Sequence, residues 1–154
     1  MSLRSHPVCR AAPYWDAGAR GALVGLTRDT NASHIVRAGL EAVCYQTRDL
    51  MEAMAGDAGQ MPAALRVDGG MVGNDWLMQF LADTLDIPVE RPAVTETTAL
   101  GAACLAGLGA GVWSSMAALA AGWQCRKRFT PGMGRARRGV LYEGWKRAVA
   151  RVRS

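Results

Sequence analysis

The segment LRVDGGMVGNDW, residues 65–76, joins an apolar run typical of a buried strand to a polar pair typical of a helix start. Its centre contains Asp68, Gly69 and Gly70, and Asn74 follows four residues later. Successive glycines permit positive φ and can expose amide donors as an anion-binding nest. Asn74 could cap a helix or use its side-chain amide to read a purine edge, and Asp68 could orient the loop or sit near a metal. These residues alone leave an ordinary tight turn and a nucleotide site both open.

On the N-terminal side of this segment the sequence predicts a short strand and then a long helix. Residues 20–27, RGALVGLT, favour a strand with glycines at its bends. Asn31 is a good N-cap, and Gly56 and Gly59 are expected to end the helix. Apolar side chains recur along one stripe at helical spacing, which predicts an amphipathic helix. The stripe consists of Val36, Leu40, Val43, Leu50 and Met54.

The segment itself predicts a strand, a turn and a second helix. Leu65–Val67 reads as a buried strand, and Asn74 or Asp75 is expected to cap the helix that follows. Ile87 and Pro88 should end this helix, because the residue before a proline resists the helical region. The next residues, 89–91, lie between two prolines and predict a short, edge-like strand.

The remaining chain predicts three helices and one more strand. Thr97 and Thr98 are expected to open a helix, which is followed by a short helix over 114–121, a strand near 125–130 and a final amphipathic helix over 141–152. Small residues along the first of these helices form a face that permits close approach to another backbone or a ligand. This face comprises Gly101, Ala102, Ala103 and Gly107.

The alternation of strands and helices predicts an α/β arrangement. Ligands in such folds usually bind at the carboxyl ends of strands, where glycines let backbone come close. The segment 65–76 occupies such a place. The chain contains no GxxxxGK[ST], no GxGxxG in a strand-to-helix turn and no GxSxG, so a P-loop, a Rossmann fingerprint and a hydrolase elbow are all excluded.

Composition predicts one folded domain. The chain has 154 residues, of which half are hydrophobic and a fifth charged. No apolar stretch reaches the length of a membrane span, and the N-terminus lacks a signal-peptide core, so we expect no membrane partner. None of the four cysteines (Cys9, Cys44, Cys104, Cys125) forms a CxxC, and the two histidines complete no zinc pattern. We therefore expect no metal site, and reduced thiols in a cytoplasmic protein, with Cys44 and Cys104 buried.

Positive charge is concentrated in the last part of the chain. Residues 121–154 carry ten of the 18 basic residues and one of the 13 acidic residues. A basic tail can bind nucleic acid, but no aromatic residues are interleaved for base stacking. The sequence therefore favours a solvated surface and no nucleic-acid partner.

Three ordered blocks of this sequence resemble the C-terminal part of glycerol kinases, within the FGGY carbohydrate kinases. The blocks are residues 12–54 (APYWDAGARG to LMEAM), 65–92 (LRVDGG to PVERP) and 97–113 (TTALGAACLAGLGAGVW). The resemblance runs from about Ala12 to the end of the chain and covers about the last third of the family's length. We divide the chain accordingly into an N-terminal segment of uncertain order, 1–11, and an incomplete nucleotide-binding domain, 12–154.

The resemblance implies a fold, a ligand and a reaction. It implies a partial actin-like, or ribonuclease-H-like, ATPase domain whose family uses ATP and Mg²⁺ to phosphorylate glycerol. The residues that it implies for nucleotide contact are Gly70 and Asn74, with Asp68 and Gly69 completing the turn. It also implies that the helix start at 98–103 packs behind this loop.

The same resemblance implies what the chain lacks. The family's phosphate-gripping loop, its glycerol site and its catalytic Asp match no residue of this sequence, so we expect no catalytic residue here and no phosphoryl transfer by the chain alone. The expected partners are an N-terminal kinase domain, an adenine nucleotide and further copies of the chain. The alternatives are a non-catalytic interaction module, whose exposed edges and apolar surface recruit partners, and a nucleic-acid binder.

Overall fold

The computed structural model describes residues 4–6, 13–16 and 18–153, so most of the predicted segment 1–11 lies outside the described residues. The strands are β1 (Arg4–His6), β2 (Ala22–Val24), β3 (Leu65–Arg66), β4 (Val89–Pro92) and β5 (Cys125–Phe129). The helices are α1 (Ala32–Ala58), α2 (Asp75–Leu85), α3 (Thr97–Gly109), α4 (Met116–Ala121) and α5 (Arg135–Ala150), with a 3₁₀ helix at Gly70–Gly73. In this part of the chain no helix combines the length and the apolarity needed to cross a membrane.

Helix α1 begins where the sequence predicts. The Asn31 side chain accepts a hydrogen bond from the His34 backbone N–H at 3.2 Å, and the His34 ring accepts one from the Asn31 N–H at 3.3 Å. These reciprocal bonds satisfy two donors that the first turn would otherwise leave without partners. The helix runs through Gly56 and ends before Gly59, which adopts a φ of 78°. Gly59 therefore supplies the left-handed conformation that a helix C-terminus favours.

The face that α1 buries differs from its predicted apolar stripe. Val36 is 63% exposed, and Val43, Leu50 and Met54 are exposed as well, whereas Leu40 is partly buried. The buried residues are Ala38, Ala42, Cys44, Tyr45, Asp49 and Met51. Packing against the rest of the fold therefore decides which face of α1 is buried, and it overrides the periodicity of the larger apolar side chains.

Strand β4 lies at the centre of a three-stranded sheet of order β3-β4-β5, so the predicted edge position was wrong. It pairs in parallel with β3 and antiparallel with β5. The ladder shifts register between Arg91 and Pro92, where the proline has no N–H to donate. The predicted strand near 125–130 is confirmed, and it is the element that covers β4 on that side. Strands β1 and β2 form a separate antiparallel pair.

Helices α1, α2 and α5 share one core. We call these three helices and the three-stranded sheet the body. Trp145 of α5 is 1% exposed and stacks on Tyr45 of α1 with ring centroids 5.6 Å apart. Phe80 of α2 meets Tyr45 edge-on at 5.8 Å. Aromatic pairs in these geometries contribute about 0.5–1.5 kcal/mol beyond their burial.

One buried carboxylate joins three parts of the body. Asp49 of α1 is 4% exposed and accepts hydrogen bonds from Tyr142 Oη at 2.5 Å, Trp145 Nε1 at 2.7 Å and Tyr14 Oη at 3.0 Å. Burial, and then the hydrogen bond to Asp49, raise the pKa of Tyr142 above its ordinary value, so this phenol remains a donor. Asp49 therefore links α5 and the loop at 13–16 to α1.

Helix α5 starts at Arg135, six residues before the predicted helix over 141–152. Arg138 anchors its first turn, because it donates to the Asp83 carbonyl at 3.2 Å and to the Asp86 carboxylate at 2.6 Å. These partners lie in the last turn and C-cap of α2. The arginines of 135–138 have no apolar period, which is why the pattern underestimates the helix.

Helices α3 and α4, with their connection, form a segment that we call the arm (residues 97–121). Gly107 is the one described residue of α3 that is buried, and the Trp113 ring from the same arm covers it. The rest of the predicted small-residue face, Gly101, Ala102 and Ala103, is exposed, and a Cβ added at Gly101 would meet no atom within 4 Å. Within the described part of the chain, no other helix or strand covers these three residues. The predicted close packing of this part of the face is therefore not found there. Cys104, expected to be buried, is half-buried.

Candidate functional site

The segment 65–76 leaves the sheet at an edge that two strands share. Because β3 and β4 are parallel, both deliver their carboxyl ends to this edge. The Val67 N–H donates to the Glu90 carbonyl at 3.1 Å, and two residues later the Gly69 N–H donates to the Thr95 carbonyl at 2.9 Å. Asp68, Gly69 and Gly70, which we call the glycine turn, therefore lie at the carboxyl end of the sheet, where α/β folds place ligands.

Gly69 has a backbone conformation that demands glycine. Its φ of 86° and ψ of 178° lie in a region that residues with a Cβ almost never occupy. Its N–H is already bonded to Thr95, so it is not available to a ligand. The nest of two exposed amides that the sequence suggested is therefore wrong; Gly69 shapes the turn, and Gly70 alone presents its amide.

Gly70 differs from Gly69 in both respects. It begins the 3₁₀ helix, and a Cβ built at this position would meet no atom of the described chain within 4 Å. Its N–H has no acceptor among the hydrogen bonds of the described residues. Neither backbone conformation nor internal packing requires a glycine at position 70.

Asn74 caps α2, as the sequence predicts. Its side-chain oxygen accepts a hydrogen bond from the Leu77 N–H at 3.1 Å. Because the oxygen serves the helix, the amide nitrogen remains able to donate to another group. Asn74 also lines a cavity of about 440 Å³, formed between the starts of α1 and α2. The other lining residues are Ala32, Ser33, Val36, Arg37, Leu40 and Trp76, so the glycine turn lies outside this cavity.

An ion-pair network that sequence reasoning missed fixes the start of α2. Arg91 donates to the Val72 carbonyl and to Asp75, both at 2.8 Å, and Lys127 donates to Asp75 at 2.6 Å. The hydrogen bonds from Lys127 and then Arg91 lower the pKa of Asp75 below its ordinary value. The sequence places Arg91 and Lys127 on strands but gives no sign that both reach α2, since only the pairing of β4 with β5 aligns them.

Asp68 turns toward the arm. Its carboxylate accepts a hydrogen bond from the Thr97 hydroxyl, at the first residue of α3. Among the described residues, no three His, Cys, Asp or Glu side chains lie close enough to hold a metal ion. Of the four predicted site residues, Gly70 and Asn74 are exposed, whereas Asp68 and Gly69 are bonded within the chain.

The chain matches known kinases along most of its length. The profile of the FGGY family of carbohydrate kinases, C-terminal domain, matches residues 7–110. The glycerol kinase of Rhodospirillum rubrum is 63% identical over 143 residues, which are 93% of this chain and 29% of that enzyme. The glycerol kinase of Alcanivorax borkumensis is 59% identical over 141 residues. The chain thus spans less than a third of the length of the glycerol kinases it matches.

A solved structure agrees with this match. The crystal structure of Plasmodium falciparum glycerol kinase with ADP superposes with a TM-score of 0.83 at 34% identity, covering 97% of this chain and 30% of that one. The predicted fold, a partial actin-like domain, is confirmed by this likeness to an FGGY kinase together with the family match. From its sequence and its fold together, this chain belongs to the FGGY family of carbohydrate kinases, in which it corresponds to the C-terminal domain.

Proposed function

We propose that this chain is the adenine-nucleotide-binding side of a glycerol kinase, and that it transfers phosphate only together with the rest of such an enzyme. In this proposal Gly70 and Asn74 contact ADP or ATP, and Asp68 and Gly69 hold the turn that presents them. The reaction of the complete enzyme is the transfer of the γ-phosphoryl group of ATP to glycerol, which yields ADP and glycerol 3-phosphate.

The observation that carries the proposal is the Gly70 amide, which is exposed at the carboxyl end of two parallel strands and has no acceptor among the hydrogen bonds of the described residues. A glycine costs conformational entropy, and this one has no internal reason to be glycine. Close approach of a ligand to the backbone is a reason that remains. The free amide at position 70 provides a donor at the point of approach.

Asn74 supports the same proposal. Its amide nitrogen can donate to a ring nitrogen of a purine, while its oxygen continues to cap α2. The positive end of α2 adds a favourable potential for an anionic ligand. Helix α2 is held in place by Arg91, which bonds both Val72 and Asp75. A ligand would therefore meet an arrangement that is already formed.

The share of a kinase that this chain spans, 29% of the Rhodospirillum rubrum enzyme, supports the expectation that the chain alone is inactive. Phosphoryl transfer needs metal, nucleophile and a base or orienting group held in one place. In the proposal, Mg²⁺ arrives with the nucleotide, and the glycerol site and the base come from the part of a kinase that this chain does not match.

Calorimetric titration of the chain with ADP and Mg²⁺ tests nucleotide binding. We expect saturable binding with a dissociation constant in the millimolar range or tighter, since one half of a cleft leaves much of the ligand in solvent. The absence of both a heat change and a change in the amide NMR spectrum at about 10 mM ADP, roughly tenfold above a dissociation constant of about 1 mM, would overturn the proposal.

Two matched pairs of variants locate the site. Gly70→Ala should weaken ADP binding about tenfold without lowering the thermal midpoint, whereas Gly69→Ala should lower the midpoint because it forces a Cβ into a strained conformation. Asn74→Ser keeps a capping oxygen and removes the amide donor, so it should weaken binding. Asn31→Ser, the same change at the cap of α1, should leave binding unaltered.

Partner binding is the second candidate function, and the arm is the observation that favours it. Leu105 is 67% exposed, and Leu100, Val112 and Met116 are exposed beside it. Apolar surface of this kind recruits partners, and we propose an N-terminal kinase domain as the natural one and further copies of the chain as the default in its absence. Light scattering should therefore show self-association that Leu105→Ser reduces; a concentration-independent monomer would contradict this.

Nucleic-acid binding is not supported by the placement of the basic residues. Lys127, Arg128, Arg138 and Lys146 form ion pairs with carboxylates of this chain. Their charge is partly neutralised before any phosphate backbone could meet it.

We also retain a cytoplasmic location as a prediction, since Cys44, Cys104 and Cys125 are all free thiols.

A further inference from the structure

The glycine turn is connected to the start of the arm by two hydrogen bonds. The Gly69 N–H donates to the Thr95 carbonyl at 2.9 Å, and the Thr97 hydroxyl donates to the Asp68 carboxylate. Thr95 and Thr97 flank the residue that precedes α3. The two bonds therefore join consecutive residues of the turn to one short stretch of chain.

The bond from Thr97 is the one that a side chain controls. Asp68 is exposed, and Thr97 is the partner that the described residues provide for its carboxylate. Asp68 immediately precedes Gly69, which adopts a backbone conformation accessible only to glycine. Because glycine has no Cβ, its own side chain does not restrict its φ and ψ angles. Such a residue depends on its neighbours to hold it in one conformation.

We propose that Thr97 is a positioning residue for the nucleotide: its hydroxyl fixes Asp68, and thereby sets the direction in which Gly70 presents its amide. The inference rests on the proposed function, because it assigns a role within the same site. It also makes the turn sensitive to the arm, since the residue that fixes the turn is the first residue of α3.

A purely structural role for the same bond is the alternative. The N-cap residue of α3, Glu96, makes no capping bond with its side chain, so Asp68 could serve instead to stabilise the positive end of this helix. In that case loss of the bond would reduce helicity or the thermal midpoint and leave the turn unchanged. Nucleotide affinity and the backbone amide signals of the turn distinguish the two roles.

The experiment compares three variants of the full chain with the wild type. Thr97→Val removes the hydroxyl at nearly constant volume, Thr97→Ser retains it, and Thr98→Val makes the same change at the exposed neighbour. We expect Thr97→Val to weaken ADP binding about tenfold, as the loss of a charge-assisted hydrogen bond predicts, with Thr97→Ser within about twofold of the wild type. Thr98→Val should bind as the wild type does.

The amide resonances of Gly69 and Gly70 give a readout that needs no ligand. They should shift or broaden in Thr97→Val, return in Thr97→Ser and stay unchanged in Thr98→Val. Unaltered resonances and affinity in Thr97→Val would overturn the inference while leaving the proposed function intact. A wild-type chain that binds no ADP would overturn the proposed function, and the positioning role for nucleotide with it. A lower midpoint with unchanged resonances would show that the bond only stabilises α3.

Discussion

The body and the arm differ in what their apolar side chains touch. In the body, α2 buries Leu77, Leu81 and Leu85 against α1 and α5. In the arm, α3 is apolar on all sides, yet Leu100 and Leu105 face solvent. A helix that is hydrophobic all round is normally buried. The arm is therefore built for surroundings that the described residues do not supply, which agrees with a chain that spans 29% of its relatives.

The comparison shows that contacts within the chain bury the apolar core and satisfy the buried polar groups of the body, whereas the arm depends mainly on local hydrogen bonds. The body satisfies its buried polar groups, as the three bonds to Asp49 show, and the side chains of its core lie against one another. The arm keeps its helices through backbone bonds and a serine cap, in which Ser115 accepts from the Ala118 N–H at 3.2 Å. Local bonds make helices, but burial of apolar surface is what stabilises them in water.

The largest expected difference between the two regions is in thiol reactivity. Burial, and then the charge of Glu41, raise the pKa of Cys44 in the body from 9.0 to about 12. The thiolate is the reactive form, so Cys44 should react about a thousandfold more slowly than an ordinary thiol even before its restricted access is considered. Labelling of single-cysteine variants at pH 8 should find the exposed Cys125 and the half-buried Cys104 modified before Cys44, which should react only on unfolding. Equal rates would mean that the body opens as readily as the arm.

Replacing tryptophans should give the next largest effect. Trp145→Ala removes a ring that is 1% exposed together with its bond to Asp49, so the free energy of unfolding should fall by about 3–5 kcal/mol. Trp15→Ala removes the same side chain where it is 74% exposed, and should change stability by less than about 0.5 kcal/mol. Urea unfolding followed by circular dichroism measures both. Similar losses for the two variants would contradict the assignment of the core.

Acidification should weaken the ion pairs at the start of α2 and lower the stability that they give to the body. The pKa of Asp75 is lowered from 3.8, so its ionised form stabilises the fold above that pH, and the contribution is lost as the pH falls through the folded-state pKa. The stability difference between the wild type and Asp75→Asn should therefore be present at pH 6 and vanish in strong acid. NMR titration of the carboxyl group should show a higher pKa in Lys127→Gln. An unchanged value there would remove Lys127 as the main cause.

The smallest effect is expected for an apolar side chain of the arm. Leu105→Ala should alter the free energy of unfolding by less than about 0.5 kcal/mol, because the leucine is already exposed. Leu77→Ala, the same change in α2, should cost about 2–5 kcal/mol. A large loss at Leu105 would show that the arm packs in solution on a surface that the structure leaves open.

Sequence reasoning succeeded where local chemistry decides. Asn31 and Asn74 cap their helices, and the strand, turn and helix of residues 65–85 follow in the predicted order. Caps and glycine turns depend on bonds within a few residues, so their sequence signals are specific. The resemblance to glycerol kinases was equally readable, because three blocks kept their order and spacing.

The same reasoning failed where partners come from distant residues. Most of the predicted apolar stripe of α1 is exposed, because packing with distant elements buries a different face, which includes Ala38 and Ala42. Strand β4 became central once β5, more than thirty residues later, paired with it. The Gly69 amide was lost to Thr95, and Arg91 and Lys127 converged on Asp75 across two strands.

By itself, then, the sequence determined the elements, their caps, the glycine turn and the family to which the chain belongs. Only the tertiary structure decided which glycine of the turn stays open, which face of α1 is buried and which apolar helix is left uncovered. The physical reason is range: capping and turn conformation depend on neighbouring residues, whereas burial and hydrogen-bond partners depend on which distant segments the fold brings together. Gly69 and Gly70 are adjacent and identical in type, yet the Gly69 amide is bonded to the distant Thr95 carbonyl, and the Gly70 amide has no acceptor among the hydrogen bonds of the described residues.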